Sequence, residues 1–193
     1  MDIFEAIKGR RSIREFLPDP VSEADVERIL DAARYAPSAG NGQPWRFLVL
    51  QDEDSKARLQ ETVNQRMEER IDKADLPEEK KSEHRAHYRQ YIEKILAAPV
   101  FVFVFVDKGQ HPDLVGYDGA LAVQNMLLTA HALGYGSGYQ TTIFPEDLVR
   151  EHFSVPNLYR FICAVPIGKA VAQPTTPERK PLEELIWEER YPR

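Results

Sequence analysis

The 193-residue chain has one cysteine, Cys163, so no intrachain disulfide framework can hold it together. That cysteine lies in the apolar run Phe161-Ile162-Cys163-Ala164-Val165 and reads as a buried core thiol rather than a nucleophile. Long apolar stretches are missing as well: the longest, residues 97–106, is about half of what a membrane span requires. The opening Met-Asp-Ile-Phe-Glu has neither the basic head nor the apolar core of a signal peptide, and the expectation is a soluble, cytoplasmic protein. Positive charge is the minority sign, since 25 Lys and Arg against 31 Asp and Glu leave a formal net charge of −6. A protein that binds nucleic acid non-specifically needs a broad basic surface to displace counterions, so nucleic acid is not an expected partner.

What is present is ordinary globular composition. Apolar residues make up 42% and charged residues 29%, enough to bury one core in a chain too short for two typical domains. Ser22-Glu23-Ala24-Asp25 reads as a capping box opening a helix with Val26, Ile29, Leu30 and Ala33 on its apolar face. A turn-rich loop, Pro37 to Pro44, runs into a strand from Trp45 to Leu50. Helices are expected over residues 55–74, with Leu59, Val63, Met67 and Ile71 at four-residue spacing, and over 78–96, a charged segment that reads as a surface hairpin or mobile cover. Val100 to Val106 alternates valine and phenylalanine without a polar break, which marks a central strand. Residues 117–133 form a helix that is apolar or small nearly all round, hence buried, with Gly134 as its left-handed cap. A short helix at 145–153, a strand at 161–167 and a last helix at 181–190 complete a mixed α/β layer fold.

Several chemical signals are weak. Gly134-x-Gly136-x-Gly138 follows a helix rather than a strand and is one residue short of the dinucleotide fingerprint. His84 and His87 sit among charged residues with no third ligand in view, and no metal site is assigned. The adjacent glutamate pairs point to different sides of a helix, and Ser38 lacks the setting of an α/β-hydrolase nucleophile.

The strongest signal is Arg10-Arg11-Ser12-Ile13-Arg14. Guanidinium groups match planar oxyanions in bidentate fashion, so this cluster in an acidic protein suits a bound phosphate; a solvated basic turn is the alternative. It is followed by Pro37-Ser38-Ala39-x-Asn41-x-Gln43-Pro44-Trp45, by Gln140-Thr141, and by Arg179-Lys180-Pro181-Leu182-Glu183-Glu184. In this order the four segments resemble the nitroreductase family of FMN-dependent oxidoreductases, over about residues 3–186.

The resemblance implies a three-layer α-β-α fold with a mixed, mainly antiparallel sheet, a buried central helix and a C-terminal arm exchanged in a homodimer. It implies one domain over 1–193, with a helical lid at about 66–96. Arg10, Arg11, Ser12 and Arg179 would hold the FMN phosphate, with Lys180 sharing it or solvated. Arg14 would face flavin N1 and the C2 carbonyl, where a fixed cation stabilises the charge gained on reduction. Pro37, Ser38, Ala39 and Asn41 would line the ring and ribityl chain, Gln140 and Thr141 would offer a donor to N5, and Asn64 or Gln65 a side-chain amide to the pyrimidine edge. No protein residue need act as a catalytic acid or nucleophile.

The implied reaction is ping-pong: NADH or NADPH gives hydride to N5 and leaves, and a small electron-poor acceptor, nitroaromatic or quinone-like, takes electrons at the same face. Tyr88 and Tyr91 on the lid would stack on such an acceptor. The deiodinase branch uses a Glu, Tyr and Lys that this chain does not supply, and nothing in the sequence selects the flavin-cleaving branch that makes a cobalamin ligand. A flavin-binding storage or sensor protein without turnover is the alternative from another class.

Overall fold

The valine–phenylalanine alternation of residues 100–106 sets the architecture, because a strand sends successive side chains to opposite faces. The computed structural model describes residues 1–109 and 111–189. Strand β2 (Val100–Asp107) lies inside a four-stranded sheet with β1 (Trp45–Leu50), β3 (Gly136–Ser137) and β4 (Tyr159–Gly168), in the order β1-β2-β4-β3. All named pairs are antiparallel, and among the described residues the single parallel element is a bridge between Ser12 and Ser137.

Each face of β2 has its own core. Phe101, Phe103 and Phe105 point to a cluster with Leu59, Val63, Ile92, Ile95, Phe144 and Leu148. These come from α3 (Glu53–Asp72), α4 (Glu78–Leu96) and the segment leading through α6 (Glu146–His152). Val100, Val102 and Val104 point the other way, to Val26, Ile29, Ala122, Val123, Met126 and Ala130 of α2 (Glu23–Ala33) and α5 (Val115–Ala132). Three layers follow, helix on sheet on helix. The smaller valines let α5 approach the sheet closely, and Gly119 makes the closest approach. A side chain there would stand 2.8 Å from both Val106 Cγ1 and Ile162 Cγ1. Cys163 lies fully buried on this valine side, and burial pushes its thiol pKa up.

The expected elements are present within a few residues, with α1 (Ile3–Gly9) added at the start. Gly134 holds φ +81° and donates its N–H to the His131 carbonyl, closing α5 as a left-handed cap. One expectation is corrected. The last helix, read over 181–190, is a single 3₁₀ turn at Leu182–Glu184, and Arg190 lies outside the described residues. The apolar end of helix α4 packs as its residues suggest: Ile92, Ile95 and Leu96 are core, and Tyr88 and Tyr91 pack against it. Between Asp72 and Gln90 no residue is buried, and ion pairs Arg85–Asp72 and Arg89–Glu68 tie this exposed half to α3. Among the described residues no helix is long and apolar enough to cross a membrane.

Candidate cofactor site

The arginine segment is hung on the edge of the sheet. Asp2 and Glu5 form a reciprocal capping box that starts α1, and the helix stops at Gly9 against His131 of α5. A side chain at Gly9 would stand 2.7 Å from His131 Nε2, so anything larger than glycine would have to displace that ring. The chain then runs extended along β3, where Ile13 N–H donates to the Ser137 carbonyl at 2.9 Å. Ile13 is 2% exposed and fills the space left by Gly136, whose absent Cβ would lie 2.6 Å from Ile13 Cγ1.

The charges on this segment converge with one from the far end of the chain. Burial, and then the like charges of Arg11 and Arg179, lower the pKa of Arg10. His131 is also lowered from its ordinary 6.5, by burial first and then by Arg10 and Arg11. Arg11 donates to the carbonyls of Lys8, at 2.6 Å, and Arg10, at 2.8 Å, and to Thr176 Oγ1 in the C-terminal tail. Among the described residues none of Arg10, Arg11, Arg14 and Arg179 forms an ion pair with a carboxylate. Cations gathered without a counter-charge in a net-acidic protein are suited to an anion. Ser137, bridged to Ser12, is 1% exposed, and among the described residues its Oγ has no hydrogen-bond partner.

Gln140 joins the same region. Its backbone makes both bonds of a bridge to Ala164 on β4, at 2.9 and 2.8 Å, and its Oε1 accepts from the Tyr91 hydroxyl at 3.1 Å. Thr141 is exposed at the start of the turn that follows. Asn64 and Gln65 lie on α3, Gln65 exposed and facing α6, whereas Asn64 Oδ1 is buried and has no partner among the described residues. Lys180 is exposed.

The Pro37–Gln43 loop is as firmly set but elsewhere. Gly40, Asn41 and Gln43 all hold positive φ, at 57°, 56° and 46°, a conformation costly for the two non-glycine residues. Ser38 Oγ accepts from Gln43 N–H at 3.1 Å, and both carboxylate oxygens of the buried Asp118 accept from Ala39 N–H at 3.3 Å. Asp118 and His131 stand thirteen residues apart on α5, about 20 Å along a helix rising 1.5 Å per residue. Within one chain, then, the loop anchored at Asp118 and the arginines beside His131 sit at opposite ends of α5.

The sequence pattern alone did not single out Asp118, His131 or Ser137. Asp118 had a signal: it is the one Asp, Glu, Lys or Arg in residues 115–132. The other two had none.

A nitroreductase family model matches residues 7–169. The chain belongs to the nitroreductase family. It is 33% identical over 182 residues to a Methanothermobacter thermautotrophicus protein named for NADH dehydrogenase or NAD(P)H nitroreductase activity, covering 91% of this chain and 81% of that one. It is also 31% identical over 193 residues to the 5,6-dimethylbenzimidazole synthase of Rhodospirillum rubrum, covering 95% and 87%. Among solved structures, a Desulfovibrio desulfuricans nitroreductase-type protein in complex with FMN superposes with a TM-score of 0.76 at 29% identity, over 100% and 99% of the two chains. The nitroreductase fold is thus common to this chain and a protein that binds FMN. Among the described residues those present suit that cofactor on their own terms: guanidiniums without a carboxylate partner for a phosphate, and on Ser137, bridged to Ser12, a buried hydroxyl with an unmet bond.

Proposed function

We propose that the protein is an FMN-dependent oxidoreductase that passes hydride from NADH or NADPH to a small electron-poor acceptor, such as a nitroaromatic or a quinone. The observation that carries the reading is the convergence of Arg10, Arg11 and Arg179 with no carboxylate paired to them among the described residues. FMN, when bound, supplies the hydride-accepting and hydride-donating centre, and the protein supplies position and electrostatics. Arg10, Arg11, Ser12 and Arg179 hold the phosphate; Arg14 stabilises negative charge on the ring; Gln140 and Thr141 offer donors; and Asn64 is the α3 amide with a bond still to make.

Pro37, Ser38, Ala39 and Asn41 cannot reach the same ring from the same chain, because α5 separates them from the arginines by about 20 Å. A homodimer resolves this, with the loop of one protomer completing the site of its partner. Three features support it: the outer edge of β1 is unpaired in the sheet, residues 171–189 are exposed throughout, and Phe4, Ile7, Tyr117 and Leu121 are apolar and exposed.

The test is the absorbance spectrum of the purified protein, followed by anaerobic titration with each nicotinamide. A yellow protein bleached by NADH or NADPH and recoloured by a nitroaromatic or quinone is expected. Arg10→Ala is expected to weaken FMN binding at least about tenfold, a loss of ~1.4 kcal/mol. Arg14→Ala instead lowers the reduction potential more than it loosens FMN. Colourless protein without affinity for FMN overturns the reading, and a protein that stays oxidised belongs to storage or sensing. The dimethylbenzimidazole synthase relative favours a second reading, the flavin-cleaving branch, which loss of flavin absorbance with release of a benzimidazole in air would select.

A further inference from the structure

Helix α4 meets the cofactor site through Tyr91. The ring packs against the phenylalanine-side core next to Ile92 and Ile95, both fully buried, so the helix cannot turn about its axis without breaking that packing. Its hydroxyl donates to Gln140 Oε1 at 3.1 Å, and among the described residues no other side chain bonds to that amide. Gln140 is 7% exposed and its backbone is fixed to β4 by two bonds, so what remains to be set is which end of the amide faces where.

An amide has an acceptor end and a donor end with opposite effects on a neighbouring charge. With Oε1 engaged by the phenol, the NH₂ end lies toward Gly138 and Ile13. A side chain at Gly138 would stand 3.1 Å from Gln140 Nε2 and 3.0 Å from the Ile13 carbonyl. The reverse orientation would turn Oε1 toward the side where the Ile13 carbonyl oxygen already lies. Ile13 in turn is locked to β3 and immediately precedes Arg14.

We propose that Tyr91 is a positioning residue that holds the Gln140 amide with its N–H end toward the cofactor site. The proposal rests on the FMN reading above. Reduced FMN carries more negative charge than oxidised FMN, so a fixed donor against it favours reduction, whereas an amide free to present either end favours it less. Tyr91 thereby acts on the flavin through Gln140 and not by stacking on the acceptor.

Tyr91→Phe keeps the ring and removes the hydroxyl. The variant is expected to keep the wild-type melting temperature and to retain FMN. Its preference for reduced over oxidised FMN falls about tenfold, which for a two-electron couple is a drop of about 30 mV in midpoint potential. Gln140→Ala gives a similar drop, and adding Tyr91→Phe to it changes nothing further. An unchanged potential in Tyr91→Phe, or additive effects of the two substitutions, overturns the proposal while leaving the FMN reading intact. Wild-type protein that binds no FMN overturns both. Gln140→Glu keeps the acceptor for Tyr91 and removes the N–H end; an unchanged potential in that variant overturns the proposal whatever the folding of Tyr91→Phe.

Discussion

At the scale of single residues, the arginine cluster constrains the histidine behind it. His131 has its pKa lowered by burial and by Arg10 and Arg11, so between that lowered value and 6.5 the folded protein binds fewer protons than the unfolded chain. The stability contribution is therefore full above pH 6.5 and is lost as pH falls below it. His152, lowered by burial and then Arg58, adds in the same sense. Replacing His131 with Gln is expected to flatten part of the fall in melting temperature between pH 6.5 and 5, read by thermal denaturation at several pH values without FMN. An unaltered pH profile would assign that fall to other groups. The arginines were legible in the sequence because their chemistry is concentrated in five consecutive positions. The bonds of Asp118 to Ala39 and of Tyr91 to Gln140 were not, because each partner lies far away in the chain, 79 positions for Ala39 and 49 for Gln140. Such pairings are created by the fold and leave no local pattern.

At the scale of elements, hydrophobic periodicity was a reliable guide wherever an element had a surface to pack on. The valine–phenylalanine strand, the α3 stripe of Leu59, Val63, Met67 and Ile71, and the glycine cap of α5 all appear as read. The C-terminal segment shows the limit. Leu182, Leu185, Ile186 and Trp187 have helical spacing, yet each is more than half exposed and only one 3₁₀ turn forms. A helix this short is marginal without tertiary packing. Packing also predicts where α5 is least tolerant. Gly119→Ala puts a methyl within 2.8 Å of Val106 and Ile162, and overpacking of that kind costs about 1–3 kcal/mol. For a chain of this size the expected fall in melting temperature is about 2–4 °C per kcal/mol. A wild-type melting curve would mean that α5 can move off the sheet freely.

At the scale of the whole molecule, the fold divides the labour between its ends. The sheet and its two helical layers were legible because alternation within one strand fixes both cores. A site shared between two chains was expected only through family resemblance, since no residue pattern states that two motifs will lie at opposite ends of one helix. That separation has a genetic consequence. If each site takes its arginines from one protomer and its Pro37–Asn41 loop from the other, a dimer can be built from two individually defective chains. A protomer carrying Arg10→Ala and one carrying Asn41→Ala would each form homodimers with two damaged sites. Mixed, they form a heterodimer in which both defects fall in one site and the other is wholly wild type. Co-refolding the two variants is expected to restore one FMN per heterodimer, and recovery of none would place both motifs within a single chain's site. On that proposal helix α5 would make the protein capable of intragenic complementation, a property set by its length as much as by any side chain it carries.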